Sequence, residues 1–200
     1  MRRITTGSSR SLRSLGRPKV RPLNQTLGAK GMIGFNCTTC GQYHNELPMT
    51  LGSPAPALWY SITESERAER AELSSDQCII DGQQFFILGQ ISIPIHNSIY
   101  PFTWLVWVSL SEENFNRASE LWNVEGRESE SAYFGWLQTA LPYQPSTLSL
   151  KAQVKTQAIG ERPLIEIEPS DHPLSLEHRH GITLQRVQQI AEAALHGSRT

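Results

Sequence analysis

The chain has 200 residues, 38% of them hydrophobic, five tryptophans and a formal net charge of −1. That is enough apolar material for one ordinary core without staples, and no apolar run reaches the ~18 residues a membrane span needs. Three cysteines cannot all pair within one chain and two of them form a C-x-x-C, which argues against a secreted disulfide framework and for reduced thiols in a cytoplasmic setting.

The net charge conceals an asymmetry. Residues 1–34 carry eight basic residues (Arg2, Arg3, Arg10, Arg13, Arg17, Lys19, Arg21, Lys30) and no acid, so the rest of the chain has a net charge of −9. This first segment is rich in Arg, Ser and Gly and poor in large apolar side chains. It cannot bury enough surface to offset its ordering entropy, and a disordered basic extension is expected over 1–34. An organelle transit peptide and a true start at Met32 are the competing readings. A single α+β domain is expected over 35–200. Its acidic body repels phosphate backbones, so no nucleic-acid partner is expected for the folded part, and no membrane partner either.

In chain order, "LPMTLGSPAPALWY" is a proline-punctuated loop. Thr63 and Glu66 make a capping-box pattern, opening a charged surface helix that runs to about Leu73. "CIIDGQQFFILGQISIPI" holds two β-rich runs around Asp81-Gly82, a hairpin signal. "PFTWLVWVSL" alternates Phe102, Trp104, Val106 and Val108 against Thr103, Leu105, Trp107 and Ser109. Both faces are largely apolar, which predicts a central strand. Ser111 caps the next helix, with Phe115, Ala118, Leu121 and Trp122 as its buried stripe.

"YFGWLQTALPYQPSTL" reads as an aromatic loop with Phe134, Trp136 and Leu137 in the core; a binding groove is the less favoured reading. "STLSLKAQV" and "RPLIEIEP" read as strands, with Arg162 in reach of an acidic neighbour such as Glu166. His172, His178 and His180 read as solvated histidines before the last helix. That helix starts near Thr183, with Leu184, Val187, Ala191 and Leu195 on one face. Hairpin-linked strands with helices gathered between and after them predict an α+β fold: a mainly antiparallel sheet, a few flanking helices and a C-terminal helix.

The chemistry concentrates in "CTTCGQYH", residues 37–44. Zinc takes four thiolate or imidazole ligands in a tetrahedron, and two cysteines two residues apart reach one ion from a tight turn. Gly41 can take the left-handed conformation such a turn favours. His44 is close enough to join. The expected metal set is Cys37, Cys40, His44 and Cys78, the only other thiol, with His172 as the alternative fourth ligand; Asp76 and His180 rank lower. A thioredoxin-like use of the C-x-x-C is disfavoured, because Gly41 and then Leu47-Pro48 leave no helix start behind it. Cys78 as a nucleophile served by His172 and Asp171 is weaker still. No G-x-S-x-G, G-x-G-x-x-G or G-x-x-x-x-G-K-[ST] occurs.

"CTTCGQYHNELP", "LSSDQCIIDGQQFFILGQISIPI", "FTWLVWVSLSEENF", "YFGWLQTALPYQPSTLSLK" and "RPLIEIEPSDHPLSLEHRHGIT" together resemble one uncharacterised bacterial family. It is catalogued only as a domain of unknown function, number 2199 in that series. The resemblance runs from Phe35 to the C-terminal helix and leaves out the basic extension. It implies that Cys37, Cys40, His44, Asp76 and Cys78 occupy motif positions and that His172 falls on the family's D-H-P-L. Ser175 stands where alanine is usual, and "VWVSL" lacks a glycine expected nearer Trp104. The family brings no activity to transfer.

The expectation is therefore a small cytoplasmic protein stabilised by one structural zinc, with no catalytic residue assigned and no enzyme activity favoured. It would act as a binding or interaction module for a protein or small-molecule partner. The alternative is a metal-dependent hydrolase with three protein ligands, a zinc-bound water and Asp76 or Asp171 as general base. Regulation of another protein by this acidic fold is a third reading.

Overall fold

A computed structural model of the chain describes residues 34–196. Apart from Gly34, the segment expected to be a disordered extension lies outside them. The described residues begin with a short hairpin, β1 (Phe35–Asn36) and β2 (Tyr43–His44), whose register sets Phe35 opposite His44. The main sheet follows, built from β3 (Thr50–Gly52), β4 (Ala71–Leu73), β5 (Gln77–Ile80), β6 (Gln84–Ile93), β7 (Phe102–Leu110), β8 (Tyr133–Leu137), β9 (Lys151–Lys155) and β10 (Leu164–Ile167). Four helices flank it: α1 (Glu64–Arg70), α2 (Glu112–Glu120), α3 (Pro173–His180) and α4 (Leu184–His196).

The α+β class holds, but the sheet is not a simple antiparallel one. Strands β6 to β10 form an antiparallel meander, and β10 then pairs with β6 in parallel, closing a five-stranded mixed barrel. An odd number of up-and-down strands leaves the last running parallel to the first, so closure must use a parallel seam. Gly89 makes room for that seam. A Cβ there would lie 2.5 Å from Ile165 Cδ1 and 2.9 Å from the Pro163 carbonyl. Strands β5 and β4 extend the sheet from the first half of β6, and β3 adds to β7 in parallel.

The two apolar faces read along β7 serve two cores. Phe102, Trp104, Val106 and Val108 join Phe85, Ile87, Ile91 and Ile93 of β6 in the main core. Trp107 turns the other way, into a smaller cluster with Ile62, Cys78, Ile80, Phe86 and Leu88. The strand is central, as its sequence indicates.

Several local expectations need correction. Helix α1 stops at Arg70, and Ala71–Leu73 pairs with β5 as an edge strand, because Arg70 turns to Asp81 at 2.7 Å across the hairpin. The Asp81-Gly82 turn itself forms, with φ of 55° and 62°. "YFGWL" is a strand, not a loop: Tyr133 and Leu137 face inward, whereas Phe134 and Trp136 are 40% and 41% exposed. Arg162 pairs with Asp76 at 2.7 Å, and Glu166 takes Lys155 instead. Of the histidines before the last helix, His178 and His180 lie in a helix of their own, α3, and His172 is its buried N-cap rather than a solvated side chain. In α4 the buried stripe is Val187, Ile190 and Ala191, with Leu184 and Leu195 exposed.

Candidate metal centre

The β1–β2 hairpin is closed by a tight turn. The Cys37 N–H donates to the Gln42 carbonyl at 2.9 Å, and the Gly41 N–H donates back to the Cys37 carbonyl at 3.0 Å. Gly41 takes φ of 69°, the left-handed value that a side chain would resist. The turn holds Cys37 and Cys40 on one side, and strand pairing brings His44 back beside them. The His44 ring stacks on Phe35 with centroids 4.9 Å apart and planes 13° from parallel, which fixes its direction.

The fourth side chain arrives from the far end of the chain. Helix α4 lays Gln188, Glu192 and His196, each four residues on from the last, along the hairpin. Gln188 donates to the Asn36 carbonyl at 3.0 Å. Glu192 accepts from the Thr38 N–H at 2.8 Å and from the Thr38 hydroxyl at 2.5 Å. His196 then sets Nε2 3.2 Å from Cys37 Sγ, while His44 Nε2 lies 3.5 Å from Cys40 Sγ.

The ligand atoms of Cys37, Cys40, His44 and His196 all fall within 4.8 Å of one another. With Zn–S near 2.3 Å and Zn–N near 2.0–2.1 Å, a sulfur and a nitrogen on one tetrahedral zinc stand roughly 3.5 Å apart. The observed S···N separations match that spacing. Two thiolates and two neutral imidazoles would also balance a divalent charge.

The surroundings of Cys37 lower its pKa from the ordinary thiol value. Burial is the largest influence and pushes its pKa up, yet the backbone N–H groups of Cys40 and Thr39 and the Cys40 thiol outweigh it, leaving the value below the ordinary one. Glu192 is likewise held below the usual carboxylate range by its hydrogen bonds from Gln188 and Thr38. Its two oxygens are engaged in orienting the turn.

The structure brings Cys37, Cys40 and His44 together and places the two proposed fourth ligands elsewhere. Cys78 is fully buried on β5 in the smaller core, where burial pushes its thiol up to about 11. It packs among Ile62, Ile80, Phe86, Leu88 and Trp107, apart from the Cys37, Cys40, His44 and His196 group. His172 caps α3: Nδ1 accepts the Leu174 N–H at 3.1 Å, and Nε2–H donates to the Pro145 carbonyl at 2.9 Å. Both ring nitrogens are therefore committed. Asp76 is bound to Arg162 and Ser75. The ring nitrogen of His96 donates to the His180 carbonyl.

His196 is the residue the sequence reading missed. Its signal was present as the polar i, i+4, i+8 series Gln188, Glu192 and His196, running beside the apolar stripe of α4.

A small α+β barrel clasped by a Cys/His cluster is the class that fold and site define. Over residues 36–182 the chain matches the family described as "Uncharacterized protein conserved in bacteria (DUF2199)". The chain belongs to that family. Cys37, Cys40 and His44 lie inside the matched stretch and His196 beyond it. No curated protein and no solved structure gives a match. Among the described residues no helix is long and apolar enough to cross a membrane.

Proposed function

We propose that this protein is a zinc-stabilised binding module of the cytoplasm, in which the metal fastens the C-terminal helix to the N-terminal hairpin. The observation that carries this is the convergence of four side chains, Cys37, Cys40, His44 and His196, with their ligand atoms within 4.8 Å of one another. Four protein ligands complete a tetrahedron and leave no position for a substrate or an activated water, so the metal serves folding. The carboxylate beside the cluster, Glu192, is engaged on both oxygens by Thr38 and Gln188. That supports a supporting role over a general base, and no observation favours the hydrolase reading. Free thiols persist most readily in a reducing compartment, which supports the cytoplasm.

The binding role draws on the exposed Phe134–Trp136 pair on the outer wall of the barrel, edge to face at 5.2 Å, with Lys151 opposite Trp136. Aromatic side chains with a cation beside them suit a protein or small-molecule partner. Elemental analysis of the full chain, purified without added metal and again after zinc reconstitution, tests the core of this reading. One zinc per chain is expected; absence of bound metal in both preparations overturns it.

A further inference from the structure

The cluster is lopsided in its contact with solvent. Cys37 is 2% exposed and sits in the main core, whereas Cys40, on the same turn, is exposed. His196 is exposed too, on the last described turn of α4. One of the two thiolate ligands thus lies open to small solutes, with a second thiolate behind it. The third cysteine, Cys78, is fully buried in a different core and cannot take part.

Resting on the zinc reading above, we infer that the centre is a peroxide-responsive clasp, in which oxidation of Cys40 and Cys37 to a disulfide expels the metal and frees the end of α4. The chemistry is balanced with hydrogen peroxide as the oxidant. The Cys40 thiolate attacks one peroxide oxygen, the O–O bond breaks, and hydroxide leaves a sulfenic acid on Cys40. The Cys37 thiolate then attacks that sulfur, forming the S–S bond and releasing a second hydroxide. Both hydroxides become water with two protons from solvent. Two sulfur atoms are oxidised, the peroxide is reduced, and the zinc, left with two imidazoles, departs.

Release has a structural consequence confined to one place. His196 is the side chain through which α4 reaches the cluster, while Val187, Ile190 and Ala191 stay anchored in the core. The clasp opens without unfolding the barrel.

The test uses the zinc-loaded full chain, hydrogen peroxide and a chromogenic zinc chelator too weak to strip the resting protein. Expected are release of one zinc per chain, loss of two of the three thiols and a mass lower by two hydrogens, all reversed by a dithiol reductant plus zinc. A Cys40→His variant keeps four ligands but cannot form the disulfide, and it should hold zinc under the same peroxide. Zinc that stays bound while both thiols remain reduced overturns the inference and leaves the zinc reading standing. Equal release from Cys40→His overturns it as well. A chain that never binds zinc overturns both.

Discussion

Cys37 and His196 are 159 residues apart in the chain, yet the sulfur of one lies 3.2 Å from Nε2 of the other. A metal held by Cys37, Cys40, His44 and His196 would be a tertiary clasp. The contact also separates two substitutions that the sequence alone would rank the other way. His196→Ala should cut zinc affinity by more than the roughly 10–100-fold that loss of a supporting residue costs. Cys78→Ala should leave zinc stoichiometry intact and cost about 1–2 kcal/mol of stability, because it opens space in the smaller core that holds Phe86 and Trp107. Competition with a chromogenic chelator, together with denaturant titration, measures both.

Glu192 gives the hairpin a pH-dependent support. Its folded pKa is depressed by the hydrogen bonds from Gln188 and Thr38. The stability it contributes is therefore complete above the unfolded-chain value near ~4.3 and is lost as the pH falls through the lower folded value. In metal-free protein, where ligand protonation does not intrude, the wild type should melt above Glu192→Gln near neutrality. The two curves should converge on acidification. Thermal midpoints across an acid series read this directly.

How far the sequence exposes this architecture depends on the range of each interaction. The capping box at Thr63, the Asp81-Gly82 turn and the Ser111 cap are local and legible, because the residues that make them lie within a few positions of one another. The central place of β7 is legible from its two apolar faces. Barrel closure is not, since it depends on Gly89 admitting Ile165, a contact with no local signature. The exposure of Phe134 and Trp136 is not legible either, because aromatic residues suit the outer wall of a strand as well as a core. At the site, the C-x-x-C-G-x-x-H half was visible because one turn contains it. The other half depends on where α4 docks, and chemical type alone favoured a thiol, Cys78, over a histidine near the chain end.

Arg127 is a buried cation whose charge is met by carbonyls. It is 3% exposed and donates to the backbone oxygens of Trp122, Gln157, Ala158 and Glu161, with its guanidinium 5.0 Å from the Trp122 ring centroid. It ties the turn after α2 to the β9–β10 connection. Arg127→Met keeps the stem but strands these acceptors, and should cost about 2–4 kcal/mol. Arg127→Lys, with three donors on one point, should recover only part. A lower urea midpoint with unchanged slope is the expected signature.

The outer wall of β8 should behave as surface. Phe134 and Trp136 are each about two-fifths exposed, and their rings meet edge to face. Trp136→Ser should change stability by no more than about 0.5–1 kcal/mol, against the 3–5 kcal/mol expected of a core tryptophan. If this wall is the binding surface, the same variant should lose partner affinity while keeping its melting curve. Melting and binding measured on one preparation separate the two roles.

Metal removal should loosen one end of the molecule and spare the barrel. The strand pairings of β6 to β10 need no ligand, and α4 keeps Val187, Ile190 and Ala191 in the core without zinc. A metal at the cluster would add one tie, holding the last turn, from Ala193 to His196, against the Cys37–Cys40 turn. Chelation should therefore speed amide exchange in Ala193–His196 and around the exposed Cys40, with exchange in β6 and β7 unchanged, since Gln188 and Glu192 still hold Asn36 and Thr38. Free zinc at about 100 times its dissociation constant adds about 2.7 kcal/mol, a rise in melting temperature of roughly 5–10 °C for a domain of this size. Faster exchange throughout the barrel after chelation would instead make the metal a condition of folding, as in the smallest zinc domains. Site-resolved hydrogen exchange on matched zinc-loaded and chelated samples decides between the two.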